Sequence, residues 1–293
     1  MLEKIKTGWE IFKISMGIMY EDKRLLLLGL FITILNLSIW YFLLKGFGIT
    51  EELATLWKNT STENAWESFF WHNALWFFII LLISGFAANM LQAVITQIVY
   101  ATFKQTRITL SEAFNKAFSR IGGIAAWSFY DNSIIFTLNL IQEWLDEHNL
   151  PTFSFLFDMV EGVWRFVSQL ALPIIVLEKD QPGAKEGLTR SWSLFKSTWG
   201  ENVTGSFSFS ILSLLIMIPS VLLALPLFMA GKFVSGMFVI IGGMVIVQVL
   251  SHTLLGIWRT TLYLYATEQL TPKPFADADL SLAFTKKHLS SLT

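Results

Sequence analysis

Asp158, Glu161, Arg165 and Gln169 follow one another at steps of three, four and four, the spacing that places four side chains on one face of an α-helix. A carboxylate one turn from a guanidinium can form an internal ion pair. A row of such groups can equally line a path for a proton, a solute or a lipid headgroup. Asp131 stands in an earlier apolar stretch, Gln248, His252 and Arg259 stripe a later one, and Asn89, Gln92 and Thr96 lie near one face of another. Each group sits in a run apolar enough to enter a bilayer, where an unpaired charge costs about 2.5–3.5 kcal/mol on insertion scales. Two readings follow. In the first, these side chains hydrogen-bond across helices and fix a bundle, Asp131 faces Arg165, Asp158 sits at headgroup level, and Arg259 snorkels to the membrane surface. In the second, Asp131, Asp158, Glu161, Arg165, Gln169, Gln248 and His252 form an intramembrane polar site.

Other chemistries lack their residues. The four histidines, His72, His148, His252 and His288, include no i,i+4 pair and no HExxH pattern, so no metal site is expected. The absence of cysteine removes thiolate nucleophiles, disulfides and Cys-ligated metals together. No GxSxG elbow and no GxxxxGK[ST] loop occurs, and no catalytic residue or cofactor is expected. A formal net charge of −1 supplies no basic surplus for a phosphate backbone, which argues against nucleic acid as a partner. Gly242-Gly243 and the pair Ser84 and Ala88 read as small-residue packing sites. Asn59-Thr-Ser and Asn202-Val-Thr match a glycosylation pattern that also arises by chance.

The elements that must position these groups are long and greasy. Of 293 residues, 54% are apolar and 15% charged, against about 45–50% and about 25% in a typical soluble domain, and the mean hydropathy is +0.55. A hydrocarbon core of about 30 Å needs about 20 residues of helix. Six runs meet or approach that length: 25–44, 74–103, 121–141, 153–177, 203–231 and 233–266. The third is interrupted by Asp131 and Asn132, and the fourth carries the charged face described above. Pro219 and Pro226 should kink the fifth. The expected fold is all-α, a single integral membrane domain of six transmembrane helices with amphipathic helices on the cytoplasmic surface.

Charge distribution gives the orientation. Sixteen basic residues fall before the first run (Lys4, Lys6, Lys13, Lys23, Arg24), after the second (Lys104, Arg107, Lys116, Arg120), after the fourth (Lys179, Lys185, Arg190, Lys196) and in the C-terminal tail (Lys273, Lys286, Lys287). The alternate loops hold Lys45, Lys58 and Lys232. This asymmetry places both termini in the cytoplasm. Trp57, Trp66, Trp71 and Trp76 cluster at the opposite end of the second run, where an aromatic belt belongs. Amphipathic segments precede the first, third and fifth runs, at 2–20, 110–120 and 184–199. GWEIFKIS at Gly8–Ser15 matches SWSLFKST at Ser191–Thr198, and Glu112, Lys116 and Phe118 match Glu186, Arg190 and Trp192. Either the chain is three copies of a surface helix followed by a two-span hairpin, or any segment lying on a membrane acquires this pattern.

The string RSWSLFKSTWGENVTG at Arg190–Gly205, the opening EDKRLLLL and the closing RTTLYLYAT resemble a group of uncharacterised bacterial multi-span membrane proteins. More distantly, the layout is similar to the membrane domain that accompanies glycerophosphoryl diester phosphodiesterases. The resemblance implies a six-helix protein of a bacterial inner membrane and brings no catalytic residue, since that hydrolysis belongs to a separate soluble domain. The expected function is non-enzymatic handling of a lipid or amphiphile, or organisation of the membrane. The alternative is a channel or transporter for a small solute or ion. Membrane lipids are the expected partners, and the sequence leaves open whether a second protein or a second copy of the chain joins them.

Overall fold

The computed structural model describes residues 2–58, 65–148, 150–199 and 209–268. Among them every regular element is helical. The chain reads as three units. The first is α1 (Leu2–Glu21), α2 (Lys23–Gly46), α3 (Ile49–Lys58) and α4 (Ala65–Phe103). The second is α5 (Leu110–Phe118), α6 (Ile121–Glu147), α7 (Pro151–Val167), a 3-10 turn (Ser168–Leu170) and α8 (Ala171–Leu177). The third is α9 (Ala184–Trp199), α10 (Phe209–Met229) and α11 (Phe233–Glu268). The stretches Lys23–Gly46, Ser68–Phe103 and Phe233–Glu268 are long and apolar enough to cross a membrane. They mark the chain as a membrane protein. The glycosylation-like triplets, the basic tail with His288, and 203–208 of the fifth run lie outside the described residues, as do the side chains of Trp9, Trp57 and Trp66.

Helix ends follow from local chemistry. Asp22 caps α2 by accepting from the backbone N–H of Arg24 at 3.1 Å, and the Arg24 Nε donates to the same oxygen at 2.8 Å. That guanidinium holds the Asp22 carboxyl below the usual carboxylate range. Thr109 and Glu112 close a capping box on α5, with reciprocal bonds of 3.2 and 2.7 Å. On α9, Glu186 accepts from the Gly183 N–H at 3.2 Å, three residues back as in α5. Gly231, at φ +71°, ends α10 and turns the chain into α11. The fourth apolar run is divided, α7 giving way to a 3-10 turn before α8. Pro173 accounts for the break, because it offers no N–H to the Gln169 carbonyl and its ring crowds that oxygen. By contrast α10 passes through Pro219 and Pro226 without interruption. No expectation covered α3, which packs on α2 and α4 and whose Glu52 accepts from Asn73 Nδ2 at 2.9 Å.

The three units pack in a cyclic order. Each amphipathic helix lies on the second long helix of the preceding unit: α5 on α4, α9 on α8 with its 3-10 turn, and α1 on α11. The matched positions agree in burial. Ala113 and Ala117 of α5 are buried, as are Gly187 and Ser191 of α9, while Phe118 and Trp192 stay about half exposed. The second helices meet one another at one end of the bundle. Residues 91–99 of α4 and 170–176 through α8 are buried without exception, and 253–264 of α11 with only Leu255 and Arg259 half-buried. Gln97 Nε2 ties α4 to the Val176 carbonyl at 3.1 Å, and Arg24 Nη1 ties the start of α2 to the Ile108 carbonyl at 2.7 Å. Arg190 of α9 pairs with Glu178 and, at 2.8 Å, with Asp180. This is the closed end. Toward the other end the helices diverge, and among the described residues α7 makes no extended contact with α10 or α11. There α10 packs on its hairpin partner α11, whereas α2 and α6 each also pack on the second helix of the preceding unit.

Candidate functional site

The divergence creates a cavity of about 440 Å³ between α2, α4 and α11. Its polar lining comes from Thr33 and Asn36 of α2, Ser84 of α4, and Gln248 and His252 of α11; Leu37, Trp40, Leu81 and Ala88 supply apolar walls. Close contacts form the floor. A Cβ at Gly29 would come within 2.6 Å of the Val249 carbonyl oxygen, so only glycine lets α2 approach α11 there. Thr253 Oγ1 donates across this crossing to the Leu25 carbonyl at 3.1 Å, and Gln92 Nε2 donates to the His252 carbonyl at 2.8 Å. Thus Gln248 and His252 share a site, and its other polar members escaped the sequence reading. Thr33, Asn36 and Trp40, at steps of three and four within an uncharged run, carried the signal.

The charged residues of the third and fourth runs form a wall of their own in the contacts between α6 and α7, and none of them lines the cavity. Trp164 Nε1 donates to Asp131 Oδ1 at 2.8 Å, with Trp127 stacked beside Trp164 at 6.3 Å between ring centroids. Gly85 faces this wall, because a Cβ there would lie 2.7 Å from the side-chain carbon of Asn132. Arg165 does not meet Asp131 directly. Its Nε donates to Glu161 Oε1 at 2.8 Å, one turn away, and its side chain is 68% exposed. Asp158 accepts from Gln142 Nε2 at 2.6 Å, which pins α7 to α6. Gln169 falls in the 3-10 turn, where its Oε1 is buried with no partner among the described residues. Of the second-run polar residues, Asn89 donates to Ser128 at 3.0 Å and Thr96 is buried in the closed-end core.

Arg259 is half-buried at the closed end of α11. It stands two turns beyond His252 on the same face of α11, between the buried Trp258 and Thr260. Its Nε is shut off from solvent, and among the described residues nothing accepts a hydrogen bond from its guanidinium. No cluster of three or more His, Cys, Asp or Glu side chains with metal-site geometry occurs among the described residues.

The wall of Asp131, Trp164 and Arg259, with Gln248 and His252, lies inside residues 68–272, the segment that matches a family described as one of unknown function, DUF6159. The chain belongs to the DUF6159 family. No curated protein and no solved structure matches it. The DUF6159 match takes in nearly all of α4 and everything through α11, so three sides of the interior fall within it. The α2 lining of the cavity, Thr33, Asn36 and Trp40, falls outside it.

Proposed function

We propose that this DUF6159 member is a six-span protein of a bacterial inner membrane that holds the polar end of a lipid or small amphiphile between its diverging helices, without catalysing a reaction. In this reading α2, α4, α6, α7–α8, α10 and α11 span, while α1, α5 and α9 lie on the cytoplasmic surface with the closed end and both termini. The distant likeness in layout to the phosphodiesterase-associated membrane domain belongs to the same reading. One observation carries it: a 440 Å³ cavity with five polar side chains in a bundle whose outer faces are apolar. That volume suits a bound small molecule or headgroup. Phe155, Val163, Leu223 and Phe238, each more than half exposed, are at home only against acyl chains.

Filling the cavity tests this. Ser84→Trp, purified in detergent and judged folded by size-exclusion chromatography, should retain several-fold less co-purifying lipid by native mass spectrometry than the parent protein. Equal retention would reject the site. The charged wall favours a second reading, a path for a small solute or ion, because Asp131 is a half-buried carboxylate held by Trp164 between α6 and α7. Solute flux in reconstituted vesicles that disappears in Asp131→Ala while insertion is preserved would select this alternative.

A further inference from the structure

The cavity between α2, α4 and α11 is polar without being charged: no Asp, Glu, Lys or Arg is among the described residues that line it. Its two hydroxyls have a fixed sense. Thr33 Oγ1 donates to the Gly29 carbonyl at 2.9 Å and Ser84 Oγ to the Leu81 carbonyl at 3.3 Å, each within its own helix. With their single protons so engaged, both oxygens offer a ligand only acceptor lone pairs. The carboxamides of Asn36 and Gln248 and the imidazole of His252 make no hydrogen bond among the described residues, since the Gln92 bond goes to the His252 carbonyl. Asn36 stands on α2, while Gln248 and His252 lie one turn apart on α11. Each carboxamide supplies two donors and an acceptor, and a neutral imidazole one of each. Thr33 and Asn36 are ten or more residues from either end of α2, so in a spanning α2 they lie roughly 15 Å from each helix end at about 1.5 Å per residue. A phosphate or ammonium drawn to that depth would shed its water with no opposite charge to meet it. A hydroxyl would exchange bonds to water for bonds to side chains already in place.

We infer that the cavity selects an uncharged amphiphile whose head carries at least one hydroxyl, the O–H donating to Thr33 or Ser84 and the head's oxygens accepting from Asn36 and Gln248. The inference rests on the amphiphile reading above and adds the chemical class of the head. Diacylglycerol and a glycosyl diacylglycerol share this chemistry. Trp40, one turn beyond Asn36, lends the same wall a flat apolar surface and an indole N–H.

The test places the full chain in phosphatidylcholine nanodiscs at about pH 8, where an ordinary imidazole is uncharged. The discs are doped in turn with dioleoylglycerol, its glucoside, its acetate ester or dioleoylphosphatidylglycerol, and the lipid retained by the protein is read by native mass spectrometry. Dioleoylglycerol or its glucoside should be enriched about tenfold or more over phosphatidylglycerol, the scale of a few neutral hydrogen bonds. The acetate, which lacks the O–H, should lose most of that enrichment. Asn36→Leu combined with Gln248→Leu should abolish it. Gln248→Lys, which puts a cation in the lining, should turn the preference toward phosphatidylglycerol and keeps the inference falsifiable should the leucine variant not fold. Greater retention of dioleoylglycerol than of the glucoside would assign the site to the free hydroxyl, and the reverse order to the sugar. Phosphatidylglycerol retained as firmly as both, or the acetate retained as firmly as dioleoylglycerol, would overturn the inference while the amphiphile reading stands. Retention of every lipid unchanged in Ser84→Trp would defeat that reading instead.

Discussion

Single residues at the closed end make sharp tests because their roles are separable. Asp22 both caps α2 and holds Arg24, so Asp22→Ala should cost about 0.5–2 kcal/mol, measured by thermal unfolding in detergent. Since Arg24 lowers its folded-state pKa, the ionised Asp22 stabilises the fold at neutral pH and the contribution fades as pH falls below about 4. The gap between parent and variant should therefore narrow in acid. Gln105 follows α4 at φ 56°, a left-handed position that suits glycine better than glutamine, and the Thr106 N–H reaches back to the Ala101 carbonyl at 2.9 Å. Gln105→Gly should raise stability by about 0.5–1 kcal/mol, the relieved strain exceeding the added freedom of the unfolded chain. Residue types on helical faces were legible from spacing alone, as the pairing of Glu161 with Arg165 shows. The partner of Asp131 was not, because the choice between Trp164, Arg165 and Arg259 depends on how α6, α7 and α11 are rotated against one another, and no periodicity within one helix encodes that.

At the scale of elements, the amphipathic stripes of α1, α5 and α9 were readable, since an apolar face three and four residues apart has few other uses. Two features escaped. Pro173 divides the fourth run through a missing N–H four residues from the carbonyl it disturbs, a local effect that the apolar composition of 170–177 conceals. The helix α3 is too short and too mixed in polarity to announce itself between two long runs. The exposed aromatics Phe118 and Trp192, at matching positions of α5 and α9, should insert into the interface between headgroups and acyl chains. Replacing both by Ser should leave the fold intact, because neither is buried, and should lower photo-crosslinking from headgroup-labelled lipid several-fold. Unchanged crosslinking would place these helices away from the bilayer.

At the scale of the molecule, six runs and a basic asymmetry were visible in the sequence, but the cyclic packing of the units was not, because it joins α1 to α11 across nearly the whole chain. The absence of native cysteine makes the proposed topology directly measurable. Single cysteines at Gln105 and Gln181 should react with an impermeant maleimide only from the cytoplasmic side, and one at Glu51 only from the opposite side. Labelling of Glu51 and Gln105 from the same side would remove a span from the reading. The packing of α1 on α11 also has a consequence for biosynthesis. Because α1 is synthesised long before α11, it has no docking partner until that later hairpin has been made, so the nascent chain must wait in the bilayer as an unclosed arc, and closure cannot precede the synthesis of α11.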